Sequence, residues 1–268
     1  MNKYLGTILN ATRLTTNIFK LVVSVPELTE IVSPGQFCQI RIANDLSHDP
    51  LLRRPISIAD YDPSRQKLSF IIRESGRGTK FLARLFPGQK IDLFGPLGTG
   101  FPVHHLAKGD HALLIAGGVG APPLYFLARQ LHAKGVECTT ILGFRSQSES
   151  FLLDEFSEFG QVRVVTDDGT LGKCGNACTE LTACATEGLR WTHGFACGPL
   201  PMLKALQQQL SADHRPVWIS LEKRMACGLG ACAACTCQPT NLKDTQGWPR
   251  LVCTDGPVFR LGEVELSE

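Results

Sequence analysis

The sequence predicts a multidomain β plus α/β protein built from three modules. These are an N-terminal antiparallel β-barrel over residues 1–103, a doubly wound parallel-sheet α/β domain over 104–221, and a small C-terminal domain over 222–268. Three observations predict it. Short apolar segments separated by turn residues fill the first hundred positions, and unbroken apolar runs alternating with helical stretches follow. Five of the eleven cysteines then crowd the last segment.

In the first module, segments near 4–11, 17–25, 36–43, 54–60 and 67–73 are rich in Val, Ile, Leu and Phe. Breakers lie between them: Pro26, Ser33-Pro34-Gly35, Asn44-Asp45 and Asp62-Pro63-Ser64. Short strands at this spacing indicate a barrel or sandwich. A short helix is expected from Thr79 to Phe86, stopped by Pro87-Gly88, and the loop Gly95-Pro96-Leu97-Gly98-Thr99-Gly100-Phe101 closes the region.

The pattern changes near Lys108. A strand at Ala112–Ala116 leads into Gly117-Gly118-Val119-Gly120 and a helical stretch at 122–133. A strand at 138–144, a helix at 149–158 and a strand at 161–166 follow. Phe195-Ala196-Cys197-Gly198-Pro199 then precedes a helix near 200–211 and a last strand at Val217–Leu221. Strands alternating with helices indicate a parallel, doubly wound sheet.

Composition narrows the function. With 268 residues, 43% hydrophobic and 19% charged, the chain has ample material for packed cores, which excludes global disorder. A formal charge of +2 gives no argument for nucleic acid, and no such partner is expected. The N-terminus lacks the order of a secretory signal. The uncharged run from Ala112 to Ala128 is interrupted by Gly117, Gly118, Gly120, Pro122 and Pro123, so a strand, turn and helix start explain it better than a membrane span. A cytoplasmic location is expected, where clustered thiols bind metal rather than form disulfides.

The strongest motif is Cys227-Gly228-Leu229-Gly230-Ala231-Cys232-Ala233-Ala234-Cys235, with Cys253 after 17 further residues, 236–252. The C-x4-C-x2-C start and distant fourth thiolate are those of a plant-type 2Fe–2S cluster. Small residues between the thiolates let backbone N–H groups approach the sulfurs and offset their charge. Zinc is the competing reading, but a zinc knuckle prefers two short C-x2-C hooks and only one is present. Cys227, Cys232, Cys235 and Cys253 are therefore the candidate ligands, with Cys237 left outside the set.

Arg54-Pro55-Ile56-Ser57 offers a planar guanidinium suited to phosphate, a fixed backbone angle and a hydroxyl. By itself the string equally describes an exposed arginine at a strand start. Its company strengthens it: Gly76-Arg77-Gly78-Thr79 opens a helix, where free N–H groups favour anions, and the GPLGTGF loop follows. This order resembles the flavin domain of the ferredoxin reductase superfamily. The resemblance implies that Arg54-Pro55-Ile56-Ser57 binds FAD, with Arg54 and Gly78-Thr79 on the pyrophosphate and Ser57 near the isoalloxazine. It also implies that Ile71-Ile72-Arg73 runs along the flavin.

Gly117-Gly118-Val119-Gly120 follows a strand and opens a helix, as a dinucleotide site requires. Position 123 is Pro, so the full fingerprint is absent and a tight turn fits as well. In the same superfamily a CGPxxM segment lies beside the nicotinamide, which implies that role for Cys197-Gly198-Pro199. The bland reading of Cys197 is a small buried hydrophobe. Thr166-Asp167-Asp168-Gly169 ends another strand, and either lines the same cleft, through Asp167, or is a simple Asp-Gly turn. Arg145 and Ser146 stand where a ribose-reading group belongs but do not decide NAD against NADP. Cys174, Cys178 and Cys184 lack a fourth ligand and are explained by helical packing. His104, His105, His111 and His132 show no ligand or triad spacing.

The three modules in this order resemble one family closely, the electron-transfer subunits of NAD-dependent, type 1B dihydroorotate dehydrogenases. The residues that carry the likeness are Leu221-Glu222-Lys223-Arg224-Met225-Ala226-Cys227-Gly228-Leu229-Gly230-Ala231-Cys232, the segment from Leu251 to Phe259, and Gly117–Tyr125. Lys173–Cys178 departs from the familiar pattern. The resemblance implies NAD as acceptor, and a partner subunit carrying FMN that oxidises dihydroorotate. It implies electrons passing through 2Fe–2S and FAD to NAD+, and a heterotetramer of two subunits of each kind. A related flavin–iron–sulfur reductase subunit serving a hydrogenase, ferredoxin or sulfur reductase is the nearest alternative. A zinc-stapled interaction module is the alternative of a different class.

Overall fold

A computed structural model describes residues 2–42, 50–241 and 248–267; the expected breaker Asn44-Asp45 lies outside them. Period-two burial builds the first sheet. In β1 (Asn2–Arg13) Tyr4, Gly6 and Ile8 turn inward, and in β2 (Ile18–Ser24) Leu21 and Val23 do so. The sheet continues with β3 (Phe37–Ile40), β4 (Arg54–Ser57), β5 (Asp60–Asp62), β6 (Lys67–Arg73) and, after helix α1 (Arg77–Leu82), β7 (Lys90–Leu97). Its order is β4-β3-β7-β1-β2-β6-β5, every pair antiparallel. The edge strand β4 touches β6, so the sheet curls into a half-barrel.

Two strands here were not expected. β5 is three residues long and abuts its turn, while β7 runs straight into the glycine–proline loop that marks the end of the module. Helix α1 also starts and ends earlier than Thr79–Phe86. The Thr79 hydroxyl accepts hydrogen bonds from the N–H groups of Ser75 (2.9 Å) and Gly76 (3.1 Å), which draws the helix start upstream.

The second sheet contains β8 (His111–Gly117), β9 (Glu137–Phe144), β10 (Gln161–Thr166), β11 (Lys173–Cys174), β12 (His193–Cys197) and β13 (Val217–Ser220). Helices α2 (Ala121–Ala133), α3 (Leu153–Ser157), α4 (Ala177–Thr186) and α5 (Leu200–Gln209) connect them. Six of the seven residues of β8 are buried, because helices cover both faces of a parallel sheet. The order is β11-β10-β9-β8-β12-β13, all parallel. The chain builds outward from β8, then returns to β12 on its other side, which opens a crevice at the carboxyl ends of β8 and β12.

The helix expected over 149–158 is broken. Leu152 adopts φ +62°, separating a 3-10 turn at Gln147–Glu149 from α3. Of the three upstream cysteines, Cys178 and Cys184 lie on α4, while Cys174 lies exposed on β11.

In the C-terminal segment β14 (Thr236–Cys237) pairs with β15 (Arg250–Leu251), and β16 (Val258–Arg260) joins the second sheet antiparallel to β13. The segment is also stitched to the barrel, since the Thr99 N–H donates to the Gly256 carbonyl at 2.6 Å. One buried apolar group joins Phe37 and Leu97 of the barrel to Cys235, Val252, Cys253 and Phe259. Another joins Ile18, Ala59 and Ile71 to Leu124 and Ala128 of α2. Among the described residues no helix is long and apolar enough to cross a membrane.

Candidate functional site

The antiparallel ladder places β4 and β6 on either side of a cavity of about 380 Å³. Arg54, Pro55, Ile56 and Ser57 line it from β4, and Ile71, Ile72 and Arg73 line it from β6. Thr79 reaches it from α1, Val119 closes it from the 3-10 turn after β8, and Cys197 from the end of β12. Gly78 lies off the wall and serves a different purpose. A Cβ there would lie 2.8 Å from Arg54 Nε and 2.6 Å from Ile42, so only glycine lets α1 sit on the arginine. The Arg54 head is held by the Leu52 carbonyl, to which Nη1 donates at 2.7 Å. The RPIS and GRGT strings, separate in sequence, therefore form one basic corner suited to a pyrophosphate.

A second cavity, also about 380 Å³, opens at the carboxyl ends of β8, β9 and β10. Gly117, Gly118, Asp167 and Pro199 line it, with Arg145 and Glu149 after β9. Arg73 belongs to both cavities and forms the partition between them. Gly118, at φ +52°, makes room for it: a Cβ would meet Arg73 Nη2 at 2.9 Å. Gly120 and Gly198 line neither cavity. A Cβ on Gly120 would lie 2.0 Å from the Cys197 carbonyl, and one on Gly198 would lie 2.4 Å from Met202. These two glycines allow α2, β12 and α5 to meet closely.

Several wall residues carried no assignment from the sequence. Ser220, Glu222, Lys223, Met225 and Pro257 line the first cavity, and Asn176 the second, beside Met202 of the CGPxxM segment. Glu222 belongs to the segment that carried the family likeness, but nothing local marks it as a cavity residue. Burial pushes its carboxyl above the usual value, against the pull of the Arg73 charge. Burial likewise pushes the Cys197 thiol up to about 12, reinforced by Glu222 and opposed by a hydrogen bond with Ser220. Cys197 is thus a neutral wall of the cavity rather than a nucleophile.

The cysteine loop lies beside this cavity. Gly228 (φ +73°), Gly230 (φ +84°) and Ala233 (φ +54°) bend it through left-handed conformations. The Leu229 N–H donates to Cys227 Sγ at 3.3 Å. That bond, with the Cys232 thiol and the N–H groups of Cys232 and Ala231, draws the Cys227 thiol down to about 7. Cys253, by contrast, is pushed up by burial and by its neighbour Cys235. The Cys227 thiol thus interacts with Cys232, and the Cys253 thiol with Cys235 and, more weakly, with Cys227. Among the described residues, no three His, Cys, Asp or Glu side chains are grouped closely enough to hold a metal ion. Interacting thiols under a canopy of N–H donors fit the chemistry of a two-iron cluster. Cys237 is buried in the core and pushed up to about 11.

Residues 222–265 match the family model described as the iron–sulfur cluster binding domain of dihydroorotate dehydrogenase B. The electron transfer subunit of dihydroorotate dehydrogenase B (NAD(+)) from Bacillus caldolyticus is 43% identical over 92% of this chain and 93% of its own. The Bacillus mycoides counterpart is 40% identical over 99% of this chain and 100% of its own. Among solved structures, an NADH-dependent reduced ferredoxin-NADP oxidoreductase studied for flavin-based electron bifurcation superposes with a TM-score of 0.83. It has 27% identity, covering 98% of this chain and 90% of that one. A Neisseria gonorrhoeae ferredoxin NADP+ reductase, with FAD and NADP bound, shares the fold at a TM-score of 0.67 and 17% identity, covering 80% of this chain and 92% of that one. On these likenesses and the residues that carry them, the chain belongs to the family of electron-transfer subunits of NAD(+)-linked dihydroorotate dehydrogenase B.

Proposed function

We propose that this chain accepts electrons from a catalytic subunit that holds FMN and oxidises dihydroorotate to orotate, and delivers them to NAD+ in pyrimidine biosynthesis. When bound, 2Fe–2S moves electrons singly and FAD gathers them into the hydride that nicotinamide takes up. The residues of the chain position these groups. Cys227, Cys232, Cys235 and Cys253 hold the cluster, and the Leu229 N–H offsets thiolate charge at its Cys227 end. Arg54 and Thr79 hold the FAD pyrophosphate, with Gly78 letting α1 close on the arginine. Ser57 and Ile71–Arg73 flank the isoalloxazine, and Val119 and Cys197 wall off the side where nicotinamide arrives.

Gly117 and Gly118 let the NAD pyrophosphate approach the start of α2, and Asp167 lines the cleft beyond them. Arg145 and Glu149 line the same cavity with opposite charges, so the choice of NAD over NADP rests on the family. On the pattern of the family we assign an assembly of two catalytic and two electron-transfer subunits in the cytoplasm.

The observation that carries this reading is that the first cavity has walls from β4, β6, β12 and residues 220–225, with the cysteine loop directly beyond Met225 in sequence. The test is dihydroorotate-dependent NAD+ reduction by the complex purified natively. Turnover that requires this chain is the expected result. Absence of turnover from a complex that retains FAD and 2Fe–2S overturns the dihydroorotate assignment and leaves a reductase subunit with another donor.

A further inference from the structure

Gln39 is a polar residue in an apolar place. It sits in β3, fully buried at 0% exposure, and both ends of its carboxamide, Nε2 and Oε1, lack a hydrogen-bond partner. Every other buried orphan atom among the described residues is one atom of an aspartate or arginine head group. The four arginines, at 129, 163, 250 and 73, and both aspartates either hold an ion pair or line a cavity. Gln39 alone leaves a whole head group unsatisfied. An unpartnered buried amide bears its full desolvation cost, which an aliphatic side chain of similar size avoids.

Its neighbour identifies the missing partner. A Cβ on Gly228 would lie 2.9 Å from Gln39 Cγ and 3.0 Å from Nε2. Gly228 directly follows Cys227, so the carboxamide rests on the loop at its first thiolate. Strand alternation puts Phe37 on the same face, about 6.7 Å along the strand, and Phe37 lines the first cavity. One strand thus presents Phe37 to the flavin side and Gln39 to the cysteine loop. Of the two ends of the amide, only the NH2 is stabilised by an electron-rich sulfur.

We propose that the Gln39 carboxamide donates a hydrogen bond to a sulfur at the Cys227 end of the 2Fe–2S cluster and thereby raises its reduction potential. The inference rests on the assignment of the cluster to this loop. A donor to sulfur stabilises the more negative, reduced state, so removing it lowers the potential. Gly228 is then needed twice: for its φ of +73° and to let the carboxamide close on the loop.

The experiment is an EPR-monitored redox titration of the purified complex carrying wild-type chain, Gln39→Leu or Gln39→Met, with iron and FAD assayed in each. Proton ENDOR of the reduced cluster is recorded in H2O and D2O. The expected result is a reduction equilibrium shifted about tenfold toward the oxidised form, about 59 mV for one electron, with loss of one exchangeable proton coupling. Iron lost from both variants overturns a tuning role in favour of a packing one. Variants that titrate as wild type and keep every exchangeable coupling overturn the inference while leaving the cluster assignment intact. A wild-type complex without iron overturns that assignment, and this inference with it.

Discussion

Three of the four thiols, Cys227, Cys232 and Cys235, come from nine consecutive residues, 227–235. The cavity beside them draws on β4 for Arg54–Ser57, β6 for Ile71–Arg73, β12 for Cys197 and the chain after β13 for Glu222. The loop is shaped by its own left-handed residues and its own N–H donors. The cavity exists only because two sheets and the C-terminal segment pack together. Damage to the loop should therefore remove one cofactor completely and spare the other. Damage to the cavity should be partial, because the load is spread over several elements.

The largest effect is expected from Cys232→Ser. Iron content should fall to background and dihydroorotate-to-NAD+ turnover by more than about 100-fold, while FAD content stays at the wild-type level. Metal analysis, the flavin spectrum and the coupled assay on one preparation decide this. A parallel fall in FAD would show that the two regions are one cooperative unit.

Next comes Arg54→Ala. Removing the guanidinium deletes charge-assisted hydrogen bonds worth about 1.5–3 kcal/mol, which weakens FAD binding about 10- to 100-fold. Iron should be retained, the mirror image of the first variant. Flavin released on dilution and gel filtration measures it, and undiminished FAD retention would remove Arg54 from the pyrophosphate site.

The same division explains what the sequence disclosed. Cysteine spacing is a local property, so the loop was legible from residues 227–235 and Cys253 alone. RPIS, GRGT and GGVG were legible as strings, and their convergence followed once the order of the modules was recognised. Other features depend on distant neighbours. The three-residue strand β16 carries no periodicity and is held by its register on β13, Ile219 opposite Phe259. Glu222 becomes a wall residue only when β6 brings Arg73 to it, and Gln39 matters only because Gly228 packs on it. Gly120 and Gly198 show the limit from the other side: a glycine for close packing looks the same in sequence as a glycine for a phosphate.

Gly118→Ala is expected to have a smaller, shared effect. An alanine at φ +52° costs about 1–2 kcal/mol, and its methyl displaces the Arg73 head from between the cavities. Unfolding in urea should report a loss of that size, and KM for NAD+ should rise without loss of iron. An unchanged KM would mean that Arg73 partitions the cavities without touching the nicotinamide side.

The smallest effect, and the sharpest test of how the cavity is assembled, is the pH response of Glu222→Gln. Burial raises the Glu222 carboxyl above its ordinary value of 4.5, and the Arg73 charge opposes that rise. A carboxyl raised in the folded state holds its proton more tightly there than in the unfolded chain. Its contribution to stability is complete below 4.5 and is lost as pH rises through the folded value. Glutamine stays neutral throughout, so the stability difference between variant and wild type should widen from pH 5 to pH 8. A difference independent of pH would mean that Arg73 fully offsets the burial of the carboxylate. Repeating the comparison in Arg73→Leu separates the two causes: with the opposing charge gone, the pH-dependent difference should grow. If it does, burial raises the Glu222 carboxyl and the charge that β6 brings to it holds that rise in check.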